Sequence, residues 1–469
     1  MKSVAVIGGG ITGLTAAWRL QRENIPVTIY EAAGRGGGVI RTVRKDGFLA
    51  ECGPNTILET SAAVKSLVED LGLAARRIYA DPAAKARYIA RYGRPIPLPM
   101  SPAGLLTTRL FTAAAKLNVV REPFRRRHVG DEDESLASFV RRRLGEEFLD
   151  YVINPFVAGV YAGDPARLSV RHAFPKLQAL EEKYGSLIKG EILGARERKT
   201  RGEVSKQSAP MFSFDVGLQL LPDSLCSSFE GNIRYGARVV SLRKSDEWTV
   251  TFREAGITQE SQHSAVLVAI PAHQAALMHL DSPGADGLQQ LREIYYPPVA
   301  TVALGFRRED VAHPLDGFGV LIPQKEKFNI LGSFFSSSLF PNRAPHGYVT
   351  ITSFIGGVRA PELVGDDAQS LAGIALADIR KLLGVKGQPV FQHVAIYPEA
   401  IPQYEVGYGR FKQILTDLET GAPGLYFAGQ FRDGISVADC IASGYNVAAR
   451  IAPHFYACDI AESASTSRL

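Results

Sequence analysis

Cysteine is scarce: four thiols, Cys52, Cys226, Cys440 and Cys458, are spread over 469 residues. No two form a C-x-x-C pair and none stands at metal-ligand spacing from another, so neither a metal site nor a disulfide framework is expected. Free thiols in a reducing compartment are the expectation. Long apolar runs are also missing. No stretch reaches the roughly 18 uncharged apolar residues of a membrane-spanning helix. The apolar opening from Val4 to Gly10 is interrupted by glycines where a secretory signal needs continuous apolar side chains. A cytoplasmic protein, at most peripheral on the cytoplasmic membrane, is expected. Nor does one sign of charge dominate. The formal net charge of +5 is mild for this length and gives no reason to expect a nucleic-acid partner. Two local basic runs, Arg121 to His128 and Arg141 to Arg143, read as solvated helix faces.

What is present is an ordinary globular balance, 46% hydrophobic and 22% charged, in a chain too long for one core. Two or three domains are expected, built from discontinuous segments. At the amino terminus "SVAVIG" reads as a buried parallel strand, and "TGLTAAWRLQREN" follows with Leu14, Ala17, Trp18 and Leu20 at helical spacing. "PVTIYE" is then a second strand ending at Glu31. Glycines at the first turn of such a unit have distinct tasks. Gly8 makes the tight turn, Gly10 lets the backbone approach a pyrophosphate, and Gly13 lets the helix pack on the strand. Glu31 lies 18 residues beyond Gly13, where it can accept hydrogen bonds from a ribose and repel a 2′-phosphate. A bound dinucleotide is the expectation.

Farther along, "ARYIARYGRPIPLP" reads as a hairpin turning at Gly93 and Pro95. Residues 101 to about 195 read as mostly helical, with a helix start at Ser135. The polar stretch 196–210 reads as a loop. Strand signals return at "IRYGARVVSLRK", "WTVTF" and "SAVLVAIP", then through a β-rich block from about 296 to 400. "GLYFAGQ" reads as a last buried strand and "VADCIASGYNVAARI" as a last helix.

The continuation "EAAGRGGGVIRT" resembles the second signature of the amine oxidase-like flavoprotein superfamily, and "GLYFAGQFRDGISVADCIASG" resembles its last FAD motif. The resemblance implies FAD as cofactor. It implies contacts from Gly8, Gly9, Gly10, Ile11, Thr12, Gly13, Glu31, Ala32, Arg35, Gly37, Gly38 and Val39, with Arg35 near the phosphates. It adds Gly53, Pro54, Asn55, Thr56, Val240 by the adenine, and Gly429, Ile435, Ser436 and Val437 by the flavin. A helix end there would favour the anionic reduced ring. No second glycine fingerprint followed by strand and acid appears, so a separate NAD(P)H domain is not expected.

Within that superfamily, "GFLAECGPNTI", "ARYIARYG", "NPFVAGVYAGDP", "FGVLIP", "TSFIGGVR" and "IPQYEVGY" resemble the oxygen-dependent protoporphyrinogen oxidase family, from Val4 to about Ile451. The resemblance implies six-electron oxidation of a porphyrinogen to a porphyrin, with hydride passing to the flavin and molecular oxygen as acceptor. It places Arg87 against a propionate, Leu321, Phe334 and Phe354 around the macrocycle, and Ala158 and Gly159 as the close backbone opposite the flavin. No catalytic His or Cys is needed; Asn55 is the candidate proton acceptor. Coproporphyrinogen is the alternative substrate, with Arg41, Arg44 and Lys45 as unplaced candidates for its extra propionates. An amine oxidase, a carotenoid desaturase and a non-catalytic porphyrin carrier are less favoured readings.

The implied architecture is α/β. A discontinuous Rossmann-like FAD-binding domain is expected from residues 1–75, 215–295 and 410–455. A mixed-sheet substrate domain is expected from 76–100 and 296–409, and a helical, membrane-facing domain from 101–210. A disordered tail is expected over 461–469. Related enzymes rest on membranes through the helical part, for which Leu105, Leu106, Leu110 and Phe111 beside Arg109 are candidates. Helix core is the favoured reading of those four, and oligomerisation is left open.

Overall fold

The computed structural model describes residues 2–466, apart from 128–129, 202–208, 230, 283–284 and 366. Its central layer is a five-stranded parallel sheet in the order Ile233–Tyr235, Val27–Glu31, Val4–Ile7, Ala265–Val268, Leu425–Phe427. All four residues of Val4–Ile7 and all four of Ala265–Val268 are buried, as strands covered on both faces must be. The helix Ile11–Arg22 packs against the terminal helix that starts at Val437. Leu14, Ala17, Trp18 and Leu20 lie in the core between the helices and the sheet. "IRYGARVVSLRK" is two strands rather than one. Gly236, at φ +72°, turns the chain between Ile233–Tyr235 and Arg238–Lys244, and the second joins a separate four-stranded sheet.

A seven-stranded mixed sheet draws on Ala86–Arg91, Arg94–Pro97 and five strands between Val299 and Tyr397. Its pairings are antiparallel except for Gly317–Leu321 beside Ala86–Arg91. The hairpin turns at Tyr92 and Gly93, whose φ values of +57° and +70° suit a two-residue turn. The helix Ala368–Leu383 covers this sheet, started by the Asp367 side chain and stopped by Gly384.

Residues 102–201 supply most of a helical layer. Ser135 caps Leu136–Leu144 by accepting from the Ser138 N–H. The run Arg141 to Arg143, read as a solvated face, is mostly not one. Arg143 is wholly buried against Glu122, and Arg142 is bonded to Glu134 at 2.8 Å and Glu181 at 2.6 Å. Carboxylates from three other segments make burial of these cations tolerable. The stretch 196–210 also differs from a loop. Its first six residues finish the helix Leu187–Arg201, consistent with their Arg, Glu and Lys content, and 202–208 lie outside the described residues. The last helix runs to Thr466, through most of the tail expected to be unstructured; alanine and glutamate continue a helix readily.

Candidate functional site

The two ends of the chain meet at one place. Gly8 adopts φ +105° and donates its N–H to the Tyr30 carbonyl at 2.8 Å. A methyl group on Gly13 would collide with the Gly8 carbonyl, so this glycine lets helix and strand touch. Gly10 is different. A Cβ there would meet no atom within 4 Å, and Gly10 caps the helix with no side-chain bond. The first-turn N–H groups, from Ile11 to Gly13, have no acceptor within the helix, and no acidic side chain stands in that turn.

Glu31 braces this loop. Its carboxylate accepts from the Gly9 N–H at 2.8 Å and the Ala33 N–H at 2.7 Å, bracketing Ala32. Each oxygen retains acceptor capacity for a ribose hydroxyl. The second glycine run lies over the first. Gly37 donates to the Gly9 carbonyl at 2.7 Å, and a Cβ on Gly38 would stand 3.6 Å from the Gly10 Cα. Arg35 lies within this turn. Its guanidinium donates to the carbonyls of Gly36 at 2.8 Å, Gly38 at 2.6 Å and Ile40 at 3.2 Å. Five fixed donors suit it to pin a carbonyl-rich turn, so its positive charge acts through the loop that it shapes.

Val39 is exposed beside this loop, and a Cβ on Gly53 would collide with its carbonyl. Pro54, Asn55 and Thr56 follow half-buried, with the Asn55 amide donating to the Gly53 carbonyl at 3.1 Å. Val240 sits at a bulge in its strand, close to where Ala237 donates to the Glu31 carbonyl at 3.0 Å.

The carboxy-terminal loop completes the arrangement. Gly429, at φ +117°, brings its backbone to within a Cβ's reach of the Thr12 hydroxyl, 3.7 Å away. Ile435 and Ser436 are half-buried and Val437 begins the last helix. Ser436 and Asp439 form a reciprocal cap there, with the Asp439 N–H donating to the Ser436 hydroxyl at 3.1 Å. The start of the helix Ile11–Arg22 thus lies close to the loop before the last helix. A side chain at Gly10 would enter the open space beside it, an arrangement that suits a pyrophosphate. FAD fits this donor set. Cys440 packs beneath it, its thiol pushed up to about 12 by burial, which suits packing rather than reaction.

The six residues expected to line the substrate cavity are linked to one another. Phe334 and Phe354 meet edge to face with centroids 5.7 Å apart. Phe354 packs on the cluster containing Ala158. A Cβ on Gly159 would stand 2.6 Å from the Leu321 Cδ2, so a larger residue there would press on that wall. Arg87 is exposed, with its guanidinium 5.8 Å from the Phe318 ring centroid. Phe318 in turn packs on Phe334 at 4.5 Å.

Phe318, which joins Arg87 to Phe334, is a contact that the sequence pattern hides. In a regular strand it shares a face with the core residues Val320 and Ile322. A bulge between Gly317 and Gly319, opposite Ala86 and Arg87, breaks that alternation. Gly319 at φ +155° is the signal that could have revealed it. Tyr404 is also easily missed. Buried at 2% exposure, its hydroxyl donates to the Gln430 carbonyl and accepts from the Gly434 N–H, and so ties down the flavin-side loop. The "PQY" stretch gave no chemical hint of this role.

The model of the family described as flavin containing amine oxidoreductase matches residues 11–452. Over 483 residues the chain is 36% identical to the chloroplastic/mitochondrial protoporphyrinogen oxidase 2 of Arabidopsis thaliana, covering 97% of this chain and 95% of that protein. It is 30% identical to the coproporphyrinogen III oxidase of Bacillus subtilis, covering 94% of this chain and 96% of that protein. A crystal structure from Exiguobacterium shares the fold at TM-score 0.81 and 24% identity, with 96% of this chain and 98% of that chain covered.

Proposed function

The chain belongs to the flavin-containing amine oxidoreductase family, and from that premise we propose that it oxidises protoporphyrinogen IX to protoporphyrin IX in heme biosynthesis. It is an FAD-dependent oxidoreductase. The bound cofactor supplies hydride acceptance from a methylene bridge; molecular oxygen is the final acceptor, three times per product. The chain's own residues do the rest. Glu31 and the glycine loops hold the dinucleotide, and the Phe318–Phe334–Phe354 ladder offers a flat apolar wall. Arg87 stands at the exposed end of that ladder, where a propionate can pair with it while the macrocycle lies on the rings.

The observation that carries this reading is the run Arg87–Phe318–Phe334–Phe354: one cation at the edge of one aromatic wall. Arg44, a candidate for pairing with further propionates, already donates to the Asp215 carbonyl at 3.2 Å. Aerobic turnover of protoporphyrinogen and coproporphyrinogen, followed by porphyrin fluorescence, tests the proposal. A large preference for coproporphyrinogen overturns the choice of substrate, and no fluorescence with either overturns the function.

A peripheral membrane contact belongs to the same proposal. Among the described residues no helix is long and apolar enough to cross a membrane. Of the four apolar candidates, Leu110 and Phe111 are core residues at 0% and 6% exposure and Leu105 packs beside them. Leu106 is exposed, and Met100, Leu117, Val120 and Phe124 are exposed on nearby segments. The nearby Arg121 and Arg126 would suit an anionic lipid surface. Flotation with anionic liposomes checks this; protein that stays wholly unbound removes the contact.

A further inference from the structure

A small cavity separates the flavin-side residues Asn55 and Thr56 from the substrate-wall residue Phe334, and Glu51, Ser336 and Arg343 complete its polar lining. Two charged groups at this cavity are almost fully buried, Glu51 at 4% and Arg343 at 2% exposure. They approach to 3.7 Å without a hydrogen bond between them. The Glu51 carboxylate accepts from the Leu218 N–H at 2.9 Å and the Thr42 hydroxyl at 2.7 Å. Arg343 donates from Nη2 to the Ser213 hydroxyl at 2.7 Å, while its Nη1 is buried with no hydrogen-bond partner among the described residues. Packing alone does not call for such a pair, since apolar side chains would fill the space at no electrostatic cost. An orphaned guanidinium N–H beside a polar cavity calls for a water.

We propose that Glu51, backed by Arg343 and reached through a water in this cavity, receives the proton that a porphyrinogen N–H loses as the neighbouring methylene bridge gives up its hydride. The inference rests on the porphyrinogen reading above. In each two-electron step a substrate N–H bond breaks, its electron pair stays on nitrogen as the conjugated π bond to the bridge carbon forms, and an O–H bond forms at Glu51. After the third step one proton of the remaining methylene bridge moves to a ring nitrogen, so four C–H and two N–H hydrogens are lost overall. Molecular oxygen then takes up the two electrons, the transferred hydrogen and the proton from Glu51. Hydrogen peroxide leaves and the carboxylate is restored.

The charges around Glu51 suit this cycle. Burial raises its carboxyl above the ordinary value, opposed by Arg343, the Thr42 and Leu218 donors, and Arg44 from the neighbouring strand. Cys52 adjoins it in the chain, and Asp215 is a further charge near Arg343. The result is a carboxyl that keeps a proton at higher pH than an exposed one does.

The test is anaerobic mixing of oxidised holoenzyme with protoporphyrinogen, followed by flavin bleaching from about pH 5 to pH 9. The wild-type rate should rise with pH as the acceptor loses its proton. Glu51→Gln should bleach about 100-fold more slowly and lose that pH limb while retaining its flavin absorbance. Thr42→Val removes a donor that favours the ionised carboxylate, so it should move the limb to higher pH; this variant decides the matter if Glu51→Gln does not load flavin. A Glu51→Gln enzyme with the wild-type rate and profile, or an unmoved limb in Thr42→Val, overturns the relay. Failure of the wild type itself to bleach overturns the substrate reading instead.

Discussion

Substituting Tyr404 by phenylalanine should weaken FAD binding by about 1–3 kcal/mol, or roughly 5- to 150-fold. The Tyr404 hydroxyl is the shared partner of the Gln430 carbonyl and the Gly434 N–H, at opposite ends of the short helix Gln430–Asp433. Phenylalanine fills the same space and takes the partner from both part-buried groups, a loss worth about 1–3 kcal/mol in all where water replaces it incompletely. Without cofactor the loop can turn one or both groups to water, and the cost then falls mainly on the bound state. Tyr408→Phe provides the control. Its hydroxyl serves one group, the Phe431 carbonyl at 2.6 Å, so its effect should be smaller. Deflavinated protein titrated with FAD gives the dissociation constants, and melting curves of the apoprotein report on the fold separately. Equal affinities for wild type and Tyr404→Phe, with equal loss of stability in apo and holo forms, would show that packing holds this loop and would refute the reasoning.

Gly10→Ala and Gly13→Ala should fail differently. The first adds a methyl in open space at a φ of −72°, so the apoprotein should melt within a few degrees of wild type yet carry little FAD. The second strikes the Gly8 carbonyl and should destabilise the apoprotein itself. A Gly10→Ala protein with full flavin would contradict the placement of the pyrophosphate. Arg87→Ala should raise KM for the porphyrinogen about 10- to 150-fold, the worth of a charged hydrogen bond, with flavin content and melting temperature unchanged; an unchanged KM would remove Arg87 from the site. His263 bonds to Tyr30 and Ser3 at 2.9 Å each, and burial pulls its pKa down to about 4. The unfolded imidazole takes up a proton near pH 6.5, so stability should be full above that pH. As pH falls toward about 4, stability should fall by about 3 kcal/mol. His263→Gln should flatten that part of the melting curve against pH, and an unaltered slope would assign the loss to other groups.

The amino-terminal unit was legible because its glycines, apolar periodicity and acid are all local. Each residue's task is set within thirty positions: Gly8 makes the turn, Gly13 lets helix and strand touch, and Glu31 braces the loop. The proposed substrate wall at Arg87, Leu321, Phe334 and Phe354 rests on motif resemblance alone, since a strand arginine or phenylalanine has no local mark of a site. Phe318 was missed because a bulge reverses its side chain, and bulges obey no period that a sequence window detects. Glu51 and Arg343 are 292 positions apart, and neither shows, read singly, that it will be buried. The three-stranded sheet of Ile57–Leu58, Met211–Phe214 and Arg77–Tyr79 has strands too short for alternation to register. Arg35 illustrates a further limit. Its place near the glycine turn is readable, but not that three carbonyls of the turn would accept from its guanidinium.

The parallel sheet begins with residues 4–7 and ends with Leu425–Phe427, and the helix Ile11–Arg22 packs on the helix that begins at Val437. During synthesis the first helix therefore waits for more than 400 residues before its partner emerges, with Leu14, Ala17 and Trp18 uncovered in the meantime. Contacts of such long sequence separation form late and leave apolar surface available to chaperones or to aggregation. FAD bound where we propose would be a clasp that is fastened last: it would reward the joining of the termini, and scarcity of flavin should lower the yield of folded protein as well as its activity.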